Sequence, residues 1–267
     1  MVKNVYIGDI HGLTVWKDIV KKHSDADNIV FIGDYFDSFD VSGLEQLHNA
    51  KEIVEFKKSQ ELNPNKKVYL LIGNHDHHYL PGTSERGLTS GYQPVMSFQF
   101  EDFFRENKDM FQMAVIIGDK LCTHAGVSDK YITDFGYWTY DKHKDESNVA
   151  DWLNDLFKYQ PNSFLFSAGY DKNNTGFGCD GYGDDEWQCP IWIRPRSLQR
   201  VNKKTDLKKM FIQIVGHTLQ SSIDIKGKTT GGKYYYIDTL PNNEYLVEID
   251  GELIVDKIEQ LIKRLDI

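Results

Sequence analysis

Five short polar cassettes recur along the chain, each directly after an apolar run rich in Val, Ile, Leu and Tyr. In order they are Gly8-Asp9-Ile10-His11-Gly12, Gly33-Asp34-Tyr35-Phe36-Asp37, Gly73-Asn74-His75-Asp76, His124-Ala125-Gly126 and Gly216-His217-Thr218. An apolar run that ends in Gly and then Asp, Asn or His reads as a buried strand delivering a polar side chain to the rim of a sheet. Five such runs require a fold in which several strands end at one place.

The spacing between them supplies the rest of an α/β grammar. Strands are expected over Val2–Ile7, Asn28–Ile32 and Val68–Ile72, alternating with helices over about Leu13–His23 and Ser42–Gln60; that order is βαβαβ. A helix over Ser97–Asn107 follows, then a hairpin turning at Gly118-Asp119. Segment 128–160 reads as helical, with Trp152, Leu153, Leu156 and Phe157 on one face, and is expected to cap the site. Gly, Asp and Asn dominate about 167–190, read as a long surface loop beside a substrate rim. Short strands return at Phe211–Val215, Lys233–Asp238, Glu244–Ile249 and Glu252–Val255, before a terminal helix over about Lys257–Leu265. Residues 1–267 are read as one catalytic domain, without internal repeats.

Composition excludes some classes. A net charge of −9 disfavours extended nucleic-acid binding and anionic membranes. No apolar stretch approaches the ~20 residues of a membrane span, so a soluble, cytoplasmic protein is expected. Cys122, Cys179 and Cys189 form no disulfide framework and read as thiols of a reducing compartment.

The cassettes carry the chemistry. Asp9 and His11, one residue apart at a strand end, can turn toward one ion. Asp34 has two oxygens with which to bridge two cations, and Asn74, His124 and His217 complete the second ion. Oxygen with imidazole suits Mn, Fe, Zn, Ni or Co better than Ca.

These motifs resemble those of the calcineurin-like metallophosphoesterase superfamily and, within it, the phosphoprotein phosphatase family of prokaryotic or phage type. The run His124-Ala125-Gly126-Val127, the single His of Gly216-His217-Thr218 and the Trp-x-Arg-Pro run at Trp192 favour that branch over nucleases and cyclic phosphodiesterases. Those relatives carry a second His where this chain has Leu219. The resemblance implies a β-sandwich of two mixed sheets flanked by helices and two divalent metal ions, Mn first among them. It further implies phosphomonoester hydrolysis by a hydroxide shared between those ions, with His75 as general acid and Asp37 orienting it. The expected substrate is phosphoserine or phosphothreonine in proteins, or a small phosphoester. Dinucleoside polyphosphate hydrolysis and RNA or nucleotide end processing are the alternatives; an inactive scaffold is disfavoured by the intact ligand set. One departure stands out. The family's protein phosphatases place Arg directly after the second acid of Gly-Asp-x-x-Asp, where this chain has Ser38, so either Arg194 or Arg196 does more of the phosphate binding or the substrate presents its phosphate differently. Asp76 and the Asp238-Thr239 pair are expected to be structural, and His77 or His78 could approach substrate.

Overall fold

Apolar residues of the strands alternate between two faces, and each face finds its own partner. In β1 (Lys3–Ile7) and β2 (Asn28–Phe31), Val5, Ile7, Ile29 and Phe31 bury toward helices, whereas Tyr6 and Val30 bury toward a second sheet. The computed structural model describes residues 1–87, 89–132, 149–168, 184–201, 211–225 and 233–259. Within them the first sheet runs β10-β9-β1-β2-β3-β4, comprising β3 (Lys67–Leu71), β4 (Phe111–Gln112), β9 (Glu244–Ile249) and β10 (Glu252–Lys257). Strands β1 to β4 are parallel neighbours, and β9 and β10 extend the sheet antiparallel. The second sheet is β5 (Ala114–Ile117), β6 (Lys120–Thr123), β7 (Ile212–Val215) and β8 (Tyr234–Tyr236), with β5 antiparallel to β6 and the others parallel. These are the two mixed sheets expected of the calcineurin-like fold.

The sheets share an apolar layer of Tyr6, Val30, Ile32, Leu71, Cys122, Ile214, Ile237 and Leu246. A buried polar tie spans it: Glu248 accepts from Tyr6 (2.7 Å) and Asn4 (2.8 Å) in its own sheet and meets Lys120 Nζ of the other sheet at 3.0 Å. A buried ion pair survives only when the remaining lone pairs are satisfied, as they are here. On the outer face of the first sheet lie α1 (Trp16–Lys22), α2 (Gly43–Gln60) and α4 (Ser97–Asn107), with Trp16, Ile19, Ile53, Val54, Phe100, Phe103 and Phe104 buried. Helix α2 starts where the sequence predicts, because Ser42 and Glu45 form a reciprocal capping box. Helix α1 starts later than Leu13 because Leu13 N–H closes a turn on Ile10 O (2.7 Å).

Two expectations change at the ends of the chain's elements. A four-residue helix, α3 (Asn74–His77), follows β3 where none was expected. The terminal helix does not begin at Lys257, which is instead the last residue of β10, paired with Glu244 in the ladder and through its ammonium (2.7 Å); 260–267 lie outside the described residues. Of the expected 128–160 helical segment, α5 (Val149–Tyr159) buries Trp152, Leu153 and Leu156 in the main core. Its Asn154 binds the backbone at the β4–β5 crossing, accepting from Met113 and Ala114 and donating to Ala114 O. Residues 129–132 of that segment are also helical, whereas 133–148 and most of the expected 167–190 loop lie outside the described residues. No described helix is long and apolar enough to cross a membrane.

The second cassette is welded to the core by Phe36, stacked on Phe100 at 4.0 Å between ring centres and edge-on to Phe103 and Phe104. Replacing Phe36 with Ala is expected to cost about 3–5 kcal/mol of unfolding free energy, measured by urea denaturation.

Candidate metal centre

All five cassettes leave the carboxyl ends of parallel strands. Asp9, Asp34 and Asn74 follow β1, β2 and β3 of the first sheet; His124 and His217 follow β6 and β7 of the second. Stacking the sheets brings both rims together. The contacts between them are direct: His217 N–H donates to both oxygens of Asp9 (2.9 and 3.2 Å), and His124 Nδ1 lies 3.0 Å from Ile32 O.

The backbone is bent to achieve this. His11, Asp34, Asp37 and His217 are four of the six described non-glycine residues with positive φ, at +39°, +54°, +64° and +65°. Such conformations persist only where surrounding contacts over-determine them, and they gather at functional sites. Two glycines make room for the carboxylates. A Cβ on Gly73 would lie 2.0 Å from Asp34 Oδ1, and one on Gly216 would lie 1.9 Å from Asp9 Oδ1.

Asp76 fastens two of the turns. Its carboxylate accepts the N–H groups of Asp34 (2.7 Å), Tyr35 (2.8 Å) and Gly73 (2.9 Å), so the structural role expected for it is what the contacts show. Burial, then the nearby Asp34, pushes its carboxyl up to about 8.

Each imidazole is oriented by a main-chain carbonyl. His11 Nδ1 meets Phe36 O at 2.7 Å, His124 Nδ1 meets Ile32 O, and His217 Nε2 meets Trp192 O at 3.0 Å. A carbonyl accepts, so each of these nitrogens donates, and the other ring nitrogens, His11 Nε2, His124 Nε2 and His217 Nδ1, face inward. There they meet side-chain oxygens. His124 Nε2 is 2.9 Å from Asn74 Oδ1 and 3.3 Å from Asp34 Oδ2; His217 Nδ1 is 2.8 Å from Asn74 Oδ1; His11 Nε2 is 3.6 Å from Asp34 Oδ2. Oxygens that converge this closely need positive charge among them, which a bound cation or a second proton on His124 would supply. Burial opposes that proton, but Asp34 and Asp9 outweigh burial and raise His124 to about 9. The donor atoms sort into two groups sharing Asp34, His11–Asp34–His75 and Asp9–Asp34–His124, with the ligand atoms of each group within 4.8 Å of one another. Carboxylate, amide oxygen and imidazole donors around a shared carboxylate fit a pair of divalent cations.

Electrostatics agree. Burial, followed by Asp238, holds the Asp9 carboxyl well above its ordinary range, the state a bound cation would relieve. Asp34 stays well below it: burial opposes ionisation, but His124 and His75 outweigh burial. Asp238, just beyond β8 at the same rim, is pushed up to about 6 by burial and by Asp34. It was expected to be structural. Its position directly after an apolar strand is the same signal that marks Asp9 and Asp34.

His75 stands beside these groups. Its N–H binds Asp34 Oδ1 (2.9 Å) and its Nδ1 lies 3.0 Å from Asp37 Oδ2, which leaves Nε2 to exchange a proton. Burial opposes its protonation, but Asp34 and Asp37 prevail and raise it above the usual histidine range. Arg194 reaches the last cassette, donating from Nη1 to His217 O and Thr218 Oγ1, both at 3.1 Å. Arg196 turns elsewhere: its side chain is 81% exposed and faces Asp184 at 3.8 Å. Ser38 uses its hydroxyl to accept from Asp40 and Val41 N–H at the turn before α2. Neither His77 nor His78 is exposed. His77 Nε2 binds Pro161 O, and His78 lies behind Asp37.

A family model described as calcineurin-like phosphoesterase matches residues 3–220. Among solved structures, a mutant of a cold-active protein tyrosine phosphatase is similar with a TM-score of 0.63 at 18% identity, covering 96% of this chain and 78% of that one. A metallophosphoesterase from Sphaerobacter thermophilus is similar with a TM-score of 0.43 at 12% identity, covering 97% and 88%. No curated protein matches the chain. At these identities the first likeness speaks for the fold.

Adding Mn2+ to metal-stripped protein at one hundred times its dissociation constant should raise unfolding free energy by about 2.7 kcal/mol. Asp34→Asn should remove that increment, both readings taken by thermal or urea denaturation.

Proposed function

The chain belongs to the calcineurin-like phosphoesterase family, whose activity is metal-dependent phosphoester hydrolysis, and we propose that it is a phosphomonoesterase acting on phosphoserine and phosphothreonine in proteins. The observation that carries this reading is the His75–Asp37 pair, a proton donor tied through its own backbone to Asp34, the carboxylate common to both ligand groups. An alkoxide is a poor leaving group and departs with a proton; a dedicated acid is what a serine or threonine ester requires.

In this reading Asp9, His11 and Asp34 would hold one divalent cation and Asp34, Asn74, His124 and His217 the other, with Mn first and Fe, Zn, Ni or Co as further choices. His75, which stands with His11 and Asp34, is assigned to the proton instead of a cation. The chemistry supplied by the bound cations is activation of water and neutralisation of charge on the phosphoryl oxygens. The side chains supply geometry and the proton. Asp76 fixes the Asp34 and Gly73 turns against each other, which sets the spacing between the ligands they carry. Asp37 holds His75 Nδ1, so the proton is delivered from Nε2 to the departing oxygen. Arg194, braced on His217 O and Thr218, supplies the cation that Ser38 cannot, and approaches the phosphate from the side of the last cassette.

The test is phosphate release by Mn-reconstituted protein from a phosphoserine peptide, a phosphotyrosine peptide and diadenosine tetraphosphate. We expect fastest turnover of the phosphoserine peptide, no turnover by Asp34→Asn, and a fall in kcat of about 10²–10⁴-fold on His75→Asn. Preference for the dinucleotide would move the assignment to nucleotide hydrolysis. Preference for the aryl ester would align the chain with the tyrosine phosphatase whose fold it shares.

A further inference from the structure

A second histidine approaches the Asp37 oxygen that His75 meets. His78 is 4% exposed, its Nδ1 lies 2.8 Å from Thr89 Oγ1, and its Nε2 faces Asp37 Oδ2 at 3.0 Å without an aligned hydrogen bond. Thr89 Oγ1 in turn reaches Asp37 Oδ2 at 3.1 Å. The other carboxylate oxygen, Oδ1, accepts from Tyr79 OH at 2.6 Å, and that hydroxyl accepts from Gln93 N–H. Tyr92 closes the set, stacked on Tyr79 and edge-on to His78. The segment carrying Thr89 sits directly on the Asp37 main chain: a Cβ on Gly91 would lie 2.6 Å from Asp37 O.

Counting protons fixes the arrangement. The Thr89 hydroxyl has one hydrogen to place between His78 Nδ1 and Asp37 Oδ2. If it points at His78, a neutral His78 carries its hydrogen on Nε2, toward Asp37, and Thr89 Oγ1 faces Asp37 Oδ2 without a hydrogen between them. If it points at Asp37, His78 Nδ1 must donate to Thr89, and a bare Nε2 lone pair would oppose a carboxylate at 3.0 Å unless Nε2 is also protonated. Every arrangement that spares the Asp37 carboxylate a bare imidazole nitrogen therefore turns an N–H toward Asp37 Oδ2 from His78 as well as from His75. One carboxylate oxygen is held between two imidazoles and a hydroxyl.

Resting on the reading of His75 as the acid, we infer that His78 and Thr89 are positioning residues: with Tyr79 they fix the Asp37 carboxylate in the one orientation that presents His75 Nε2 to the departing oxygen. None of them touches the reacting atoms. Their loss lets the carboxylate turn about its own side-chain bonds and carry the imidazole with it.

Because the effect runs through the acid, it depends on the leaving group. Thr89→Val should lower kcat for a phosphoserine peptide about tenfold, the weight of one hydrogen bond, with KM unchanged. It should leave nitrophenyl phosphate, whose phenolate departs without a proton, within about twofold of the wild type. Thr89→Ser keeps the hydroxyl and should restore most of the peptide activity; His78→Gln should behave like Thr89→Val. On metal-free protein, the downfield proton NMR signal of the His75–Asp37 hydrogen bond should shift in Thr89→Val and return in Thr89→Ser. Equal losses on both substrates, a change confined to KM, or a Thr89→Ser variant no better than Thr89→Val would overturn the inference. The Thr89 pair decides it should His78→Gln fail to fold. His75→Asn is the reference: if it shows no leaving-group dependence, His75 is not the acid, and the premise fails separately from the roles of His78 and Thr89.

Discussion

Three main-chain N–H groups converge on the buried carboxylate of Asp76, and the rest of the site is hung from that point. Asp34 and Tyr35 come from the end of β2 and Gly73 from the end of β3. Those N–H groups lie past the last rung of the ladder, where neighbouring strands no longer supply acceptors. Burying them unpaired would cost about 1–3 kcal/mol each. One side chain satisfies all three, which lets Asp34 adopt its left-handed backbone and lets α3 begin at Asn74. The placement of Asp34 and Asn74 is thus a main-chain property secured by the side chain of a third residue.

Strain and charge are concentrated together. Left-handed backbone at His11, Asp34, Asp37 and His217 and the displaced carboxyl groups of Asp9, Asp76 and Asp238 occupy a single rim; among the described residues only Asn243 and Asp250 are left-handed non-glycines elsewhere. The core holds the rim in place. Phe36 lies between Asp34 and Asp37 in sequence and is packed among Phe100, Phe103 and Phe104, so the two polar residues are fixed by the apolar one between them.

Much of this was legible in the sequence, and what was not has physical reasons. The ends of strands and the residues Asp9, His11, Asp34, Asn74, His124 and His217 could be read because alternation and Gly-Asp or Gly-His punctuation are local signals. Helix α4 and strand β9 matched the expected bounds for the same reason. Lys257 was misread because a short Val-Asp-Lys run fits a helix start as well as a strand end; its place in β10 is set by pairing with Glu244, thirteen residues away and invisible to local pattern. The arrangement behind Asp37 was equally hidden. His78, Tyr79 and Thr89 meet Asp37 across about forty to fifty residues of chain, and nothing at positions 78 or 89 marks them as neighbours of a carboxylate. Arg194 and Arg196 look alike in sequence, two residues apart on the same run. The structure separates them by direction alone, one toward His217 and the other toward Asp184.

The imidazoles of His11, His124 and His217 are steered by the carbonyl groups of Phe36, Ile32 and Trp192. A carbonyl is common to every amino acid. A change of side chain at those three positions leaves the acceptor that sets each ring's tautomer in place, although Phe36 and Ile32 are themselves buried in the core. What the site cannot tolerate is an insertion or deletion that slides the carbonyl out of reach. The orientation of the rings is thus insensitive to which side chain stands at those three positions and sensitive to changes in loop length.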